Sequence, residues 1–281
     1  MEMPERFCGA ALAQALEVAA PGFIVTVYGD VVVPRGEVLW MGSLIETCAR
    51  SGISENLVRT AVSRLVASGR LQGERQGRRS FYRLAPAARA EFAAATRRLY
   101  DRAARPQGWM LLALDEVPDQ LRRRFHMAAA GGSCWLAPDW GALPPGARVI
   151  MRVPDDAPEA MPGLADFWDL AALAARYDGF LAQFAPVGDA LAQGHVPSAP
   201  DALTLRLLLV HAYRGAVLRD PFLPEALLPG NWSGSAARVL FRDLYLRLTP
   251  LAAPAIASLE DMAGHLAAET DESRSRINML R

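Results

Sequence analysis

The sequence predicts an α+β, multidomain chain, and three observations lead there. Between Gly52 and Leu84 a capped amphipathic helix is followed at once by a hairpin with arginines at its tip. From Trp109 to Phe184 short apolar runs alternate with helical spacing, and from about Ala199 helical periodicity takes over. At 281 residues the chain is too long for one small domain, and each region can bury its own core. The expected order is an N-terminal extension (1–20), a winged helix-turn-helix (21–86), a connecting helix (87–107), a ferredoxin-like α+β domain (108–185), a C-terminal helical domain (199–268) and a polar, disordered tail (269–281).

Residues 1–20 read as a loosely specified helix. Phe23 to Val33 is rich in β-branched residues and by propensity alone would be a strand. Its place ahead of a second helix, Leu39 to Arg50, makes it instead the first helix of a three-helix unit, with Pro34-Arg35-Gly36 as the break. Trp40, Leu44, Ile45 and Cys48 form the apolar face of the second helix, and Ser51-Gly52 turns into the third. There Ser54 suits an N-cap, its hydroxyl accepting an orphan amide proton, and Ile53 and Val58 stand at the positions of a hydrophobic staple. Leu57, Val58, Ala61, Val62, Leu65 and Val66 make one apolar face, and Gly69 ends the helix.

The opposite face offers Glu55, Asn56, Arg59, Thr60, Ser63 and Arg64, residue types that reach base edges and phosphates. Leu71 to Arg75 and Arg78 to Leu84 then flank Gln76-Gly77 as a hairpin. Arg75, Arg78 and Arg79 sit at its tip, placed to meet phosphates or the minor groove. From Arg50 to Arg83 there are eight arginines against two acids, whereas Asp101 to Pro200 holds eight against twelve. That asymmetry, within a chain of zero formal charge, points to double-stranded DNA as a partner. Every basic residue is arginine, so the positions in the hairpin say more than the residue type.

A connecting helix runs from Pro86 to about Arg105, and Pro106-Gln107-Gly108 marks a boundary. Trp109 to Leu114 reads as a buried strand, Asp119 to Ala130 as a helix ended by Gly131-Gly132, Cys134 to Leu136 and Arg148 to Val153 as strands, and Leu164 to Phe184 as a second helix. Strand, helix, strand, strand, helix is the succession of a ferredoxin-like sandwich. Two C-terminal helices follow, Pro200 to Arg219 and Ala236 to Leu248, the latter with Val239, Leu240, Leu244 and Leu248 inward.

Several function classes are disfavoured. Cys8, Cys48 and Cys134 are far apart, which argues against a disulfide framework or a zinc site, and the four histidines lack metal-ligand spacing. No nucleophile elbow or phosphate-cradling glycine loop is present, so neither an enzyme nor a cofactor is expected. Without a signal peptide or an apolar stretch of membrane-spanning length, a cytoplasmic protein with no membrane partner is expected.

The succession FIVTVYGDVVVPRGEVLWMGSLI, GISENLVRTAVSRLVASGRL and RQGRRSFYRLAP resembles the PaaX family, as do the later patterns around Asp220-Pro221 and Leu227-Leu228-Pro229. The resemblance implies a homodimeric repressor of phenylacetic acid degradation operons that binds a partly palindromic operator and is relieved by phenylacetyl-coenzyme A or a related thioester. Asn56, Arg59, Thr60, Ser63 and Arg64 would then face the major groove. An acyl-coenzyme A needs arginines for its phosphates and an apolar slot for its aryl end. Trp168, Tyr177, His211, Tyr213, Arg214, Trp232 and Arg242 offer those groups in the C-terminal regions. The middle stretch also resembles the small CRISPR-associated nuclease of the spacer-acquisition complex, with Asp115 closing the first strand. No second acid cluster completes a two-metal site, and Asp155-Asp156 reads as a solvated loop.

Overall fold

In the computed structural model, which describes residues 3, 7, 9–154 and 163–281, the chain forms two compact units of mixed helix and sheet. One gathers the described residues up to Arg102 with Gly179–Arg214 and Ala236–Arg281; the other gathers Ala103–Asp178 with Gly215–Ser235. Asp155-Asp156 and Cys8 lie outside the described residues.

The first unit begins with α1 (Gly9–Ala15) and α2 (Ala20–Val27), and α2 continues through a π-helical turn (Tyr28–Val32) and a 3-10 turn (Val33–Arg35). Phe23, Ile24, Val27, Tyr28, Val31 and Val32 are essentially inaccessible to solvent. Their spacing of four along two adjacent rows is helical; a strand would have buried every second residue, so burial overrides the β propensity. Gly36, at φ 96°, stops the helix. A short strand β1 (Val38–Trp40) follows, then α3 (Met41–Ala49), α4 (Glu55–Ala67) and the hairpin β2 (Leu71–Gln76) and β3 (Arg79–Leu84). The sheet order is β1-β3-β2, antiparallel, with Leu39 opposite Tyr82 and Gly73 opposite Tyr82 across the other edge. Sequence periodicity folded Leu39 and Trp40 into the following helix; they instead pair with the hairpin as its third strand. A 3-10 turn leads into α5 (Arg89–Tyr100), which stops short of the expected Arg105.

The second unit holds β4 (Gly108–Ala113), α6 (Asp119–Arg124), β5 (Ala128–Gly131), β6 (Cys134–Pro138) and β7 (Arg148–Pro154). Its sheet is antiparallel in the order β5-β6-β4-β7. The expected helix from Asp119 to Ala130 is therefore wrong in its second half: it ends at Arg124, and Ala128–Gly131 pairs with β6 across a tight turn at Gly131 and Gly132, both at positive φ. Alanine-rich sequence carries helical propensity, and only the pairing partner turns it into a strand. The link from β6 to β7 contains no helix. Met110, Leu112, Leu114, Met127 and Ala137 form one core layer of this unit, and Trp109, Leu164 and Leu223 another.

Long helices complete the chain: α7 (Leu170–Ala192), α8 (Ala199–Val217), α9 (Gly234–Ile256) and α10 (Asp271–Leu280). Leu240, Leu244 and Leu248 take the inward side expected of them more or less fully, but Val239 is 49% exposed. The expected disorder after Glu269 is overturned by α10. Thr270 caps it in a capping box with Ser273 and also donates to the Pro34 carbonyl at 2.6 Å. Its Arg276 is 2% exposed and donates to the Gly29 carbonyl. A polar segment orders here because an inward-facing guanidinium finds main-chain acceptors.

Candidate nucleic-acid interface

α4 buries Val58, Ala61, Val62 and Leu65 and leaves Asn56, Arg59, Thr60, Ser63 and Arg64 exposed on one continuous surface. The buried residues recur at three and four positions, so the exposed polar set is turned away from the core as a group. Ser54 does stand at the N-cap with extended backbone, but its hydroxyl makes no capping hydrogen bond, so first-turn amides face outward. Two members of the expected apolar face belong to the surface: Leu57 is 56% exposed and Val66 38%. They flank the buried stripe. Ile53, before the cap, and Val58 are both buried, as a staple requires. Gly69 follows α4 at φ 69°.

The arginines of this region divide by what they touch. Arg59 pairs with Glu55 one turn back at 2.7 Å, both side chains 56% exposed, an arrangement worth only about 0.3–0.5 kcal/mol and readily given up. Arg64 and Arg78 are exposed and make no ion pair among the described residues. Arg75 donates to the Gly77 carbonyl beside the hairpin turn, where Gly77 takes φ 61°. Arg79 is engaged: its guanidinium lies 4.4 Å from the centre of the Trp40 ring and pairs with Glu260. It fastens the hairpin to the loop after α9.

The first unit also holds a buried ionic centre that sequence reading missed. Asp30, 1% exposed, accepts hydrogen bonds from Tyr100 (3.0 Å) and Tyr245 (2.8 Å) and forms an ion pair with Arg206 at 2.9 Å. Burial works against the Arg206 charge, and Asp30 more than reverses it, holding that guanidinium above its ordinary value. Burial pushes the Tyr245 phenol up to about 12. Arg35, drawn down to about 10 by burial and by Arg206, donates to the carbonyls of Val31, Ala267 and Ala268. The turn at Tyr28–Val32 is thus gripped by α5, α8, α9 and α10 at once. The available signal was a lone aspartate inside an otherwise apolar helix.

The aromatic and cationic residues selected for an effector fall in two places. Trp168, Tyr177 and Trp232 belong to the second unit, where Tyr177 donates to Asp220 at 2.7 Å and Trp168 to the His126 carbonyl at 3.0 Å. His211, Tyr213, Arg214 and Arg242 belong to the first. Tyr213 is buried and stacked on Phe241 at 4.2 Å. His211 Nδ1 lies 3.0 Å from Thr26 Oγ1, and Arg214 donates to Gly22, holding α8 on α2. Burial and then Arg214 lower the His211 pKa to about 4. Arg242 pairs with Asp243 on a half-open face. Asp115 is exposed just past β4, and among the described residues no cluster of three or more metal-ligating side chains occurs. Among the same residues no helix is long and apolar enough to cross a membrane.

Residues 19–88 match the family described as PaaX-like protein, and residues 168–258 match the PaaX-like protein C-terminal domain. The transcriptional repressor PaaX of Escherichia coli (strain K12) is 33% identical over 270 residues, spanning 85% of this chain and 83% of its own. Among solved structures, the uncharacterized protein Rv0674 from Mycobacterium tuberculosis is similar at 21% identity and a TM-score of 0.43, over 81% of this chain and 96% of that one. A likeness that low carries no argument. The family matches and the curated relative make the chain a regulator of transcription and not an enzyme. It belongs to the PaaX family.

Proposed function

We propose that the chain is a sequence-specific DNA-binding repressor of genes for phenylacetate catabolism, and that α2 to β3 act as a winged helix-turn-helix. The observation that supports this most is the outward polar face of α4, with Arg64 and Arg78 exposed and free of ion pairs among the described residues. α4 enters the major groove, its N-terminal turns reading base edges, and the hairpin tip meets the adjacent backbone. The second unit is taken as a ferredoxin-like variant: its strand order is that of a split βαβ sheet, with no helix between β6 and β7. A homodimer places two reading helices on a partly palindromic operator, and phenylacetyl-coenzyme A or a related aryl or acyl thioester releases it. The thioester need only favour the DNA-incompetent arrangement by about a hundredfold, about 2.7 kcal/mol.

The test is fluorescence anisotropy on duplexes from upstream of phenylacetate-degradation genes, with a scrambled duplex as control. Arg64→Ala should cost about 1–3 kcal/mol and relax preference at one operator position. Equal affinity for operator and scrambled duplex in wild-type protein would refute sequence-specific repression. Undiminished binding at saturating phenylacetyl-coenzyme A would remove the thioester while leaving DNA recognition in place.

A further inference from the structure

The loop that follows α9 is fastened to the hairpin and to the start of α3 within the first unit. Glu260 accepts at its carbonyl from the Trp40 amide at 2.8 Å and donates its own amide to Ser43 Oγ at 2.9 Å. Across the loop it forms an antiparallel bridge with His265. Leu259 and Leu266, joined by a main-chain hydrogen bond of 2.8 Å, are both buried. Inside the turn Asp261 accepts from the amides of Ala263 and Gly264. The loop lies past residues 168–258, the stretch that matches the family's C-terminal domain.

Anchoring of this kind fixes where the Glu260 carboxylate stands, and there it pairs with Arg79. Arg79 opens β3 opposite Gln76, two positions past the Gly77 turn, and the centre of the Trp40 ring lies 4.4 Å from its guanidinium. The Arg79 side chain is 51% exposed and that of Glu260 only 27%, so solvent, and hence a duplex, reaches the arginine. An exposed ion pair is ordinarily weak because two long side chains must be ordered to make it. Here the backbone of Glu260 and the Trp40 ring have already done much of that ordering. Arg59 and Glu55, a helical turn apart and with no such anchors shown, make the contrast.

We propose that Glu260 is an autoinhibitory counter-charge: it takes the place of a DNA phosphate on Arg79 and withholds one cation from duplex binding. Carboxylate and phosphate both present oxygens that a guanidinium fork recognises, so the two compete for the same side chain. An arginine that neutralises a phosphate releases counterions and steepens the dependence of affinity on salt. One already matched to a carboxylate adds little to that term. Phosphate contacts carry no sequence information, so the restraint acts alike on every duplex and leaves base reading by α4 as it is. That a duplex is the competitor rests on the repressor reading; the pairing itself does not.

The test is anisotropy of the full chain on operator and scrambled duplexes across salt concentrations, with hydrogen exchange of the hairpin measured alongside. E260Q keeps an oxygen that can accept from Arg79 but drops the charge. It should steepen the salt slope by about 0.9 and tighten both duplexes roughly threefold at low salt. In an R79Q background the same change should do nothing, and in an R78Q background it should act in full. An unaltered slope in E260Q overturns the proposal. So does a gain that persists in R79Q, because the loss of any nearby acid would then suffice. A gain that comes with faster exchange in β2 and β3 overturns it too, since a loosened hairpin would be the cause. If the wild type binds both duplexes alike, sequence-specific repression falls, while the comparison on the scrambled duplex still decides Glu260. A wild type that binds no duplex refutes both readings.

Discussion

Replacing Asp30 by asparagine is the perturbation with the largest expected consequence. The side chain is 1% exposed, and one carboxylate serves two phenols and a guanidinium that is itself 1% exposed. Asparagine keeps the shape but loses the charge and one accepting oxygen. Arg206 is then a buried cation without its counter-charge, and an amide nitrogen replaces either its acceptor, Oδ2, or the oxygen that both phenols share, Oδ1. Removing one partner of a buried pair costs about 3–5 kcal/mol, and a stranded buried donor adds about 1–3 kcal/mol. Urea unfolding followed by circular dichroism should show the transition of this unit fall by about 1 M or more, taking a slope near 3 kcal/mol per molar. The companion variant D30N/R206M removes both charges together while an amide oxygen still accepts from the phenols, and it should recover most of the loss, since uncharged replacements of buried pairs are often neutral. A D30N cost below about 1 kcal/mol, or a double variant no better than the single, would refute the placement of the charge centre in the core.

Three further outcomes follow from groups whose surroundings differ. Arg78→Ala should lower affinity for all duplexes alike and reduce the salt slope by about one unit, measured by anisotropy across salt concentrations. Arg79→Ala, which breaks the Trp40 and Glu260 contacts, should act chiefly by loosening the hairpin and show as faster amide exchange in β2 and β3. His211 titrates near 4 in the folded chain, below its unfolded value near 6.5, so the unfolded state binds the extra proton between those values. Its contribution is complete above pH 6.5 and is lost as pH falls toward 4, by about 3 kcal/mol at most. His211→Gln should flatten the thermal midpoint across that window, and an unchanged slope would show that other groups set it.

Much of the fold was legible from residue spacing. The rows Phe23, Val27, Val31 and Ile24, Tyr28, Val32 have a helical period that outvotes their β-branched composition. The Gln76-Gly77 turn and the polar face of α4 were likewise local facts. Errors gathered where a partner distant in sequence decides. Leu39 and Trp40 become strand because β3 offers them a ladder, and Ala128 to Gly131 do so because β6 does. Leu57 and Val66 carry the right residue type for a core, but the neighbouring elements do not reach them. The effector candidates were chosen by chemistry without a spacing to bring them together, and the two compact units divide them.

The linear sequence by itself determined the helix periods, the hairpin turn and the basic bias of residues 50–83, because these depend on neighbours within a few positions. Tertiary structure alone decided that Asp30, Tyr100, Arg206, Tyr245 and Arg276 converge, and that residues 271–280 close over them as a helix. The physical reason is that a buried charge must find its counter-charge and donors wherever the chain can supply them. Those partners stand 70 to 246 positions away, a separation that no local pattern encodes.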